Sequence, residues 1–352
     1  MSLALPTRRI EEWKYSDLAR ALGDAGFGEA SARVVAGPLP QGVEAFFLDE
    51  PNRPEWVKAH YGKLPANSVS AVSLAKARGG IALRVHKNRH IEAPLALDFT
   101  GEGHVRALLV LDEGASLTLV EHSDARDTRN AGFEIVLGRN ARLDHVRIAP
   151  KSSAVQVEEI STTLANDAQY RAHFANFGAK LSRLELAITL QGAGAGVDLS
   201  GVSVLAASAH ADVTTQVAHE VGQTQSQQLF KKVVGGSAQA VYQGKVTVKP
   251  HADGSHSRQT AKALLLGPRA EADLKPELEI LADDVKCAHG AAVGDLDADS
   301  LFYLRARGLP EKEARHLLLH AFLEDVITGI ANTDLRETVR GAVARALDEV
   351  TA

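Results

Sequence analysis

From about residue 76 to about residue 285 the chain is a succession of short apolar runs separated by turn residues. Residues 105–111, 117–120, 133–137, 143–148, 184–190, 202–205 and 241–248 are rich in Val, Ile and Leu, and each is short enough for one strand. Leu143-Asp144-His145-Val146-Arg147-Ile148 and Leu184-Glu185-Leu186-Ala187-Ile188-Thr189-Leu190 read as period-two alternation. No helical period interrupts this region.

The runs repeat. A turn residue, a small residue and an apolar residue two further on open several strands: Gly114-Ala115-Ser116-Leu117, Asn140-Ala141-Arg142-Leu143, Asp167-Ala168-Gln169-Tyr170, His210-Ala211-Asp212-Val213, Ser237-Ala238-Gln239-Ala240 and Arg269-Ala270-Glu271-Ala272. The alanines recur at 26- or 27-residue intervals, with longer steps from 168 to 211 and from 238 to 270. A unit of this size fits a coil of two or three strands, and stacked coils bury a narrow aliphatic core. The expected fold is mainly β, with a right-handed parallel β-helix (β-solenoid) at its centre. An antiparallel sandwich, whose strands are also short and alternating, is the competing reading.

Helical periodicity lies at the two ends. Ile10, Trp13, Leu18 and Leu22 predict an N-terminal helix, followed by a stretch punctuated by Gly37, Pro38, Pro40, Pro51 and Pro54. Residues 300–307 run to Gly308, and Pro310 suits the first turn of a further helix. The apolar stripe predicted there is Ala314, Leu317, Leu318, Ala321, Phe322, Val326 and Ile330, broken by Asp325. Asp334 and Glu337 resemble a capped start for a last helix striped by Leu335, Val339, Val343, Leu347 and Val350. The expected organisation is an N-terminal helical or mixed α/β cap (1–75), a β-helix core (76–294) and a C-terminal helical domain (295–352).

Composition narrows the function. The chain has 352 residues, 45% of them hydrophobic and 24% charged, which is ordinary for a globular protein. A net charge of −5 disfavours nucleic-acid binding. The longest apolar runs, 107–111 and 263–266, are far shorter than the ~20 residues that cross a bilayer. Residues 1–6 carry no secretory signal, so a cytoplasmic location is expected. With two Trp, five Tyr and ten Phe, and both tryptophans within the first 56 residues, the core must be built from small aliphatic side chains. The same scarcity argues against a β-helix enzyme that grips polysaccharide on aromatic rings.

Recognisable catalytic motifs are missing. There is no G-x-x-x-x-G-K-[ST] loop and no G-x-S-x-G elbow. Gly192-Ala193-Gly194-Ala195-Gly196 lacks dinucleotide-loop spacing and reads as a turn. His316 and His320 share a helix face without the intervening Glu of a zinc protease, and His251 and His256 flank a polar turn. The members of Glu158-Glu159 and of Asp283-Asp284 point to opposite faces of a strand. The distinctive cluster is Asp283-Asp284-Val285-Lys286-Cys287-Ala288-His289-Gly290. Cys287, the only cysteine, and His289 lie two residues apart, on one side of a strand, and both are ligands for zinc, iron or copper. A structural cysteine beside an ordinary histidine fits the pattern as well. Two donors do not complete a four-coordinate site, so another strand or chain must supply the rest.

Lys275-Pro276-Glu277-Leu278-Glu279-Ile280-Leu281-Ala282, running on through that cluster to Gly294, resembles the signature of the SufB/SufD family of scaffold subunits in the Suf iron–sulfur cluster assembly complex. Leu301-Phe302-Tyr303-Leu304-Arg305-Ala306-Arg307-Gly308-Leu309 and Glu12-Trp13-Lys14-Tyr15-Ser16-Asp17-Leu18 are similar to further segments of the family. Cys-Ala-His-Gly-Ala in place of Glu-His-Glu-Ala points to its SufD branch. The resemblance implies a non-catalytic scaffold that pairs with SufB through the β-helix and docks the SufC ATPase on its C-terminal helices. It implies that Cys287 and His289 contact metal, and that Phe302, Tyr303, Leu317, Leu318 and Phe322 lie in the ATPase-docking segment. It also implies a transient iron–sulfur cluster shared with a partner, and reduced flavin bound by the whole complex. A homodimer of the isolated chain is the other assembly expected.

Overall fold

The computed structural model describes residues 5–28, 32–63 and 68–351; residues 1–4, on which the reading of the N-terminus partly rests, lie outside the described residues. The strands are β1 (Arg33–Ala36), β2 (Val43–Phe47), β3 (Gly80–Val85), β4 (Leu95–Thr100), β5 (Gly103–Leu111), β6 (Ser116–Ser123), β7 (Arg129–Leu137), β8 (Arg142–Ala149) and β9 (Val155–Leu164). They continue with β10 (Gln169–Asn176), β11 (Leu181–Leu190), β12 (Gly196–Leu205), β13 (His210–His219), β14 (Gln225–Val234), β15 (Gln239–Val248), β16 (His256–Leu265), β17 (Glu271–Ile280) and β18 (Lys286–Gly294).

Successive strands from β3 onward alternate between two sheets. One sheet runs β1-β4-β6-β8-β10-β12-β14-β16-β18; the other runs β17-β15-β13-β11-β9-β7-β5-β3-β2. Each coil therefore contributes one strand to each sheet, and the fold is a β-solenoid with two strands per coil. Neighbours in both sheets are parallel except β1 with β4 and β2 with β3, at the first coil. Arg142, Gln169 and Gly196 pair in register, 27 residues apart at each step (142, 169, 196).

The repeated alanines are corners. Gly114, Asn140, Asp167 and Gly194 have φ of 68°, 56°, 58° and 75°. Gly, Asn and Asp tolerate that left-handed conformation better than other residues. The next residue, Ala115, Ala141, Ala168 or Ala195, is fully buried, and its N–H donates to the carbonyl three residues back. Only a small side chain fits inside such a corner. The second corner column, before the other sheet, is Ala209, Ala238 and Ala270, which make the same backbone bond. Ala211 is instead a strand residue of β13, in register with Ala240.

Between the sheets lies a core of Val, Leu, Ile and Ala with a few rings, among them Phe99, Phe133, Tyr170 and Phe174. It is not wholly apolar. In β8 the inward positions are Leu143, His145 and Arg147. His145 and Arg147 meet Glu121 of β6, at 3.1 Å and 2.8 Å, and Arg147 also pairs with Glu158 of β9 at 2.5 Å. The outward residues Val146 and Ile148 are covered by C-terminal helices.

The N-terminal segment does not form one helix. Glu11–Trp13 is a single 3-10 turn, and α1 (Leu18–Leu22) starts afresh at Asp17, whose side chain accepts the Arg20 N–H. Ile10 is exposed. The segment is pinned to the outer face of the second sheet: Trp13, Leu18, Leu22 and Phe27 pack on Val155, Val157 and Leu181. The Arg183 guanidinium lies 3.9 Å from the Trp13 ring centroid and pairs with Asp212, which also accepts the Ser16 hydroxyl. α2 (Glu55–His60) and α3 (Ser68–Lys76) complete the first part of the chain.

At the other end are α4 (Ala298–Ala306), α5 (Glu311–Thr328) and α6 (Thr333–Thr351). Pro310 is the N-cap of α5 rather than its first helical residue, and Asn332, not Asp334, caps α6 by accepting the Leu335 N–H. The buried face of α5 is Ala314, Leu319, Leu323, Val326 and Ile327, with Ile330 following. Leu317 and Ala321 of the predicted stripe face outward. The helix is apolar on more than one side, and packing on β12 and β14 selects the side that is buried. In α6 the expected Val339, Val343 and Leu347 are buried.

Candidate functional site

The solenoid is open at its last coil. β17 and β18 are the terminal strands of their sheets and belong to the last coil, so their outer edges have no neighbour among the described residues. β18 is exposed along nearly its whole length. The apolar inward side chains of this coil, which a further coil would cover, are partly uncovered. Ile280 is 42% exposed and Val293 47%. An exposed edge with apolar flanks is a template for pairing with another chain.

Cys287 and His289 are on this last strand. β18 pairs in register with β16, Ser257 opposite Cys287 and Gln259 opposite His289. Ser257 and Gln259 are buried inside the solenoid. Side chains on adjacent in-register strands share a direction, so both predicted donors point into the uncapped mouth. Cys287 is half-buried and packs against the central core, whereas His289 is exposed. Burial pushes the Cys287 thiol up, opposed by the Ser257 backbone. A thiol in that condition becomes a ligand when a cation arrives to stabilise the thiolate.

Cys287 and His289 by themselves do not make a closed four-coordinate set. Among the described residues no three His, Cys, Asp or Glu side chains are grouped so as to hold a metal ion. Asp283 and Asp284 are exposed in the turn before β18. There the Asp284 carbonyl accepts the Gly254 N–H at 2.7 Å, and the Lys286 N–H donates to the Ser255 carbonyl, tying the last coil to the one before. A trough of about 800 Å³ crosses the outer face of the first sheet to Lys286 and Ala288, lined by Arg142, Asp144, Arg171, Asp198 and Arg258 among others.

The expected docking residues divide. Phe302 and Tyr303 of α4 and Leu317 of α5 are exposed. Leu318 and Phe322 are half-buried. Phe322 is already engaged: the Lys231 ammonium sits 4.8 Å from its ring centroid and donates to its carbonyl and to Asp325, both at 2.7 Å. On α5 His316 and His320 meet edge to face with ring centroids 4.6 Å apart, and His316 reaches Asp348 of α6 at 3.2 Å. Of the buried charges Glu121, Arg147, Glu158, Arg183 and Asp212, the sequence drew attention only to Glu158, as half of an acidic pair, and not to its burial. Glu121, Arg147 and Glu158 lie at inward positions of otherwise aliphatic strands, whereas Arg183 and Asp212 face outward and are buried by the N-terminal segment.

Fold and site together define a β-solenoid protein whose open last coil carries its only cysteine and a nearby exposed imidazole. A family model described as "SUF system FeS cluster assembly, SufBD core domain" matches residues 99–322, and the chain belongs to this family of iron–sulfur cluster assembly proteins. It is 30% identical to iron-sulfur cluster assembly protein SufD of Escherichia coli K12, over 97% of this chain and 89% of that protein. It is 30% identical to a SufBD family protein of Synechocystis, slr0076, over 97% of this chain and 88% of the relative. SufD of Bacillus subtilis is 27% identical over 80% of this chain and 68% of its own length. No helix among the described residues is long and apolar enough to cross a membrane.

Proposed function

We propose that this chain is a non-catalytic scaffold subunit that offers Cys287 and His289, at the open end of its solenoid, to an iron–sulfur cluster under construction. A second scaffold protein, SufB, abuts β17 and β18 and completes the coordination. The SufC ATPase docks on the C-terminal helices, where Phe302, Tyr303 and Leu317 are exposed. The cluster is cargo. It is held by one thiol and one imidazole on this side, so the partner can finish it and later let it go. The observation that carries this reading is the coincidence of the only cysteine, its neighbouring imidazole and two unpaired strand edges in one coil.

A second reading has support from the same edges. Among the described residues the outer edges of β17 and β18 have no partner, so two copies can join end to end about a twofold axis. That dimer occupies the surface SufB needs, and the two assemblies compete. No residues of this chain are assigned to the reduced flavin expected in the complex.

Anaerobic co-expression with SufB and SufC tests the proposal. The chain is expected to co-purify with both, and Cys287→Ala or His289→Ala to lower iron and sulfide in the complex without dissolving it. Unchanged iron and sulfide in both variants removes the site. Failure to bind either protein removes the scaffold role.

A further inference from the structure

Towards the open end the solenoid interior changes from aliphatic to polar in two in-register columns. One column is Val197, Ser226, Ser257, Cys287; the other is Leu199, Gln228, Gln259, His289. In the first, the Ser226 hydroxyl donates to Ser257 at 2.9 Å. In the second, Gln228 is held by Thr215 and Tyr242, whose hydroxyls donate to its Oε1 at 2.7 Å and 3.1 Å. Gln259 is the exception. It is completely buried, yet neither its Nε2 nor its Oε1 has a hydrogen-bond partner. Buried amides in native proteins nearly always have one, and an exception calls for a reason.

The surroundings show which way this amide is set. Opposite it stands Gly244, where a Cβ would fall 2.0 Å from the Gln259 Nε2 and 2.5 Å from the Tyr242 hydroxyl. Room for the amide is therefore made by a missing side chain. The Tyr242 proton is already given to Gln228, so the phenol oxygen can only accept from Gln259. That turns the NH₂ end of the amide towards Tyr242 and leaves the oxygen for the next rung. The next rung is His289, one strand spacing away at about 4.8 Å.

We propose that Gln259 is a positioning residue for His289: its amide oxygen accepts one ring N–H, so the other ring nitrogen faces the open end as the metal donor. The exposed imidazole turns into this bond when a ligand arrives. Metal-binding histidines nearly always donate their second N–H to such an acceptor, which fixes tautomer and orientation. The inference rests on the reading of Cys287 and His289 as metal donors and adds the residue that aims one of them.

The test uses cobalt(II) as probe on the full-length chain, with affinity measured against a competing chelator and thiolate coordination followed by its charge-transfer band. Gln259→Leu is expected to weaken cobalt binding about tenfold or more, the usual cost of losing such a partner, while Gln259→Glu, which keeps an acceptor, restores it. Thermal unfolding separates this from simple damage: Gln259→Leu removes an unsatisfied buried amide and should leave the unfolding temperature unchanged or raised. Equal cobalt affinity in Gln259→Leu and the original chain, with His289→Ala still weakening it, overturns the inference and leaves the donor pair standing. Cobalt binding indifferent to both Cys287→Ala and His289→Ala overturns the donor pair and this inference with it.

Discussion

Ser257 and Cys287 are paired in register on adjacent parallel strands, the serine buried and the cysteine half-exposed because no further coil covers it. The thiol therefore combines a partly apolar environment with access from outside. Burial holds its titration above the ordinary range, so alkylation by iodoacetamide near pH 7.5 should be slower than that of a free thiol. The rate should keep rising with pH beyond 9. Mass spectrometry of the modified chain over time checks this. A fast reaction that is flat with pH around neutrality would mean a stabilised thiolate instead.

Four buried histidines make the fold sensitive to acid. Burial lowers His145 to about 3, and His104, His173 and His219 to about 4. Unfolded, each binds a proton near 6.5. Between these values the unfolded chain carries the extra protons, so stability is full above pH 6.5 and is lost as pH falls towards 4. Glu158 acts in the opposite direction. Burial raises it to about 7 and raises Glu185 and Asp198 too, so these contributions fall as pH rises, but the buried histidines, with His60 and His210 also lowered, outnumber them. Urea midpoints measured from pH 4 to pH 8 should rise to a plateau near neutrality. His173→Asn, which can still meet the Ser200 hydroxyl, should flatten the slope.

The two faces of α5 should respond differently. Leu323 is buried against the first sheet and Leu317 is exposed. Leu323→Ala is expected to cost about 2–5 kcal/mol, seen as a lower urea midpoint. Leu317→Ala should leave the midpoint within about 0.5 kcal/mol and weaken SufC binding instead. Equal effects of the two changes on stability would contradict the burial described.

Asp212 ties the N-terminal segment to the solenoid through Ser16 and Arg183. Asp212→Ala leaves a buried guanidinium short of a partner and should destabilise the chain by about 3–5 kcal/mol. Limited proteolysis should then cut first within the N-terminal segment. Resistance equal to that of the unchanged chain would show that the segment is held by apolar packing alone.

Much of this was legible in the sequence, and the misreadings have physical causes. The Gly-Ala, Asn-Ala and Asp-Ala pairs mark corners because a left-handed residue followed by a small one is what such a turn demands. The apparent 43-residue step from Ala168 to Ala211 arose from joining two corner columns: the first continues at Ala195, and Ala211 is a strand residue of the other sheet. In residues 143–148 apolar side chains fall on both faces: Leu143 points inward with His145 and Arg147, while Val146 and Ile148 lie under helices. A strand covered on both faces carries no simple in–out code. The α5 stripe was misassigned for the same reason. Cys287 and His289 stood out in the sequence because two soft donors at a spacing of two need no tertiary knowledge to be noticed, and the structure puts both on the last strand. Gln259 was invisible, because only the register of β16 with β18 brings it beneath His289.

Amide hydrogen exchange on the chain alone and bound to SufB tests the central claim most directly. Strands β17 and β18, residues 271–280 and 286–294, are expected to exchange quickly when their edges are open and to become protected in the complex, while β8 and β10 stay unchanged. Protection confined to other surfaces, with β18 exchanging as fast in the complex as alone, would contradict a cluster site completed across that edge.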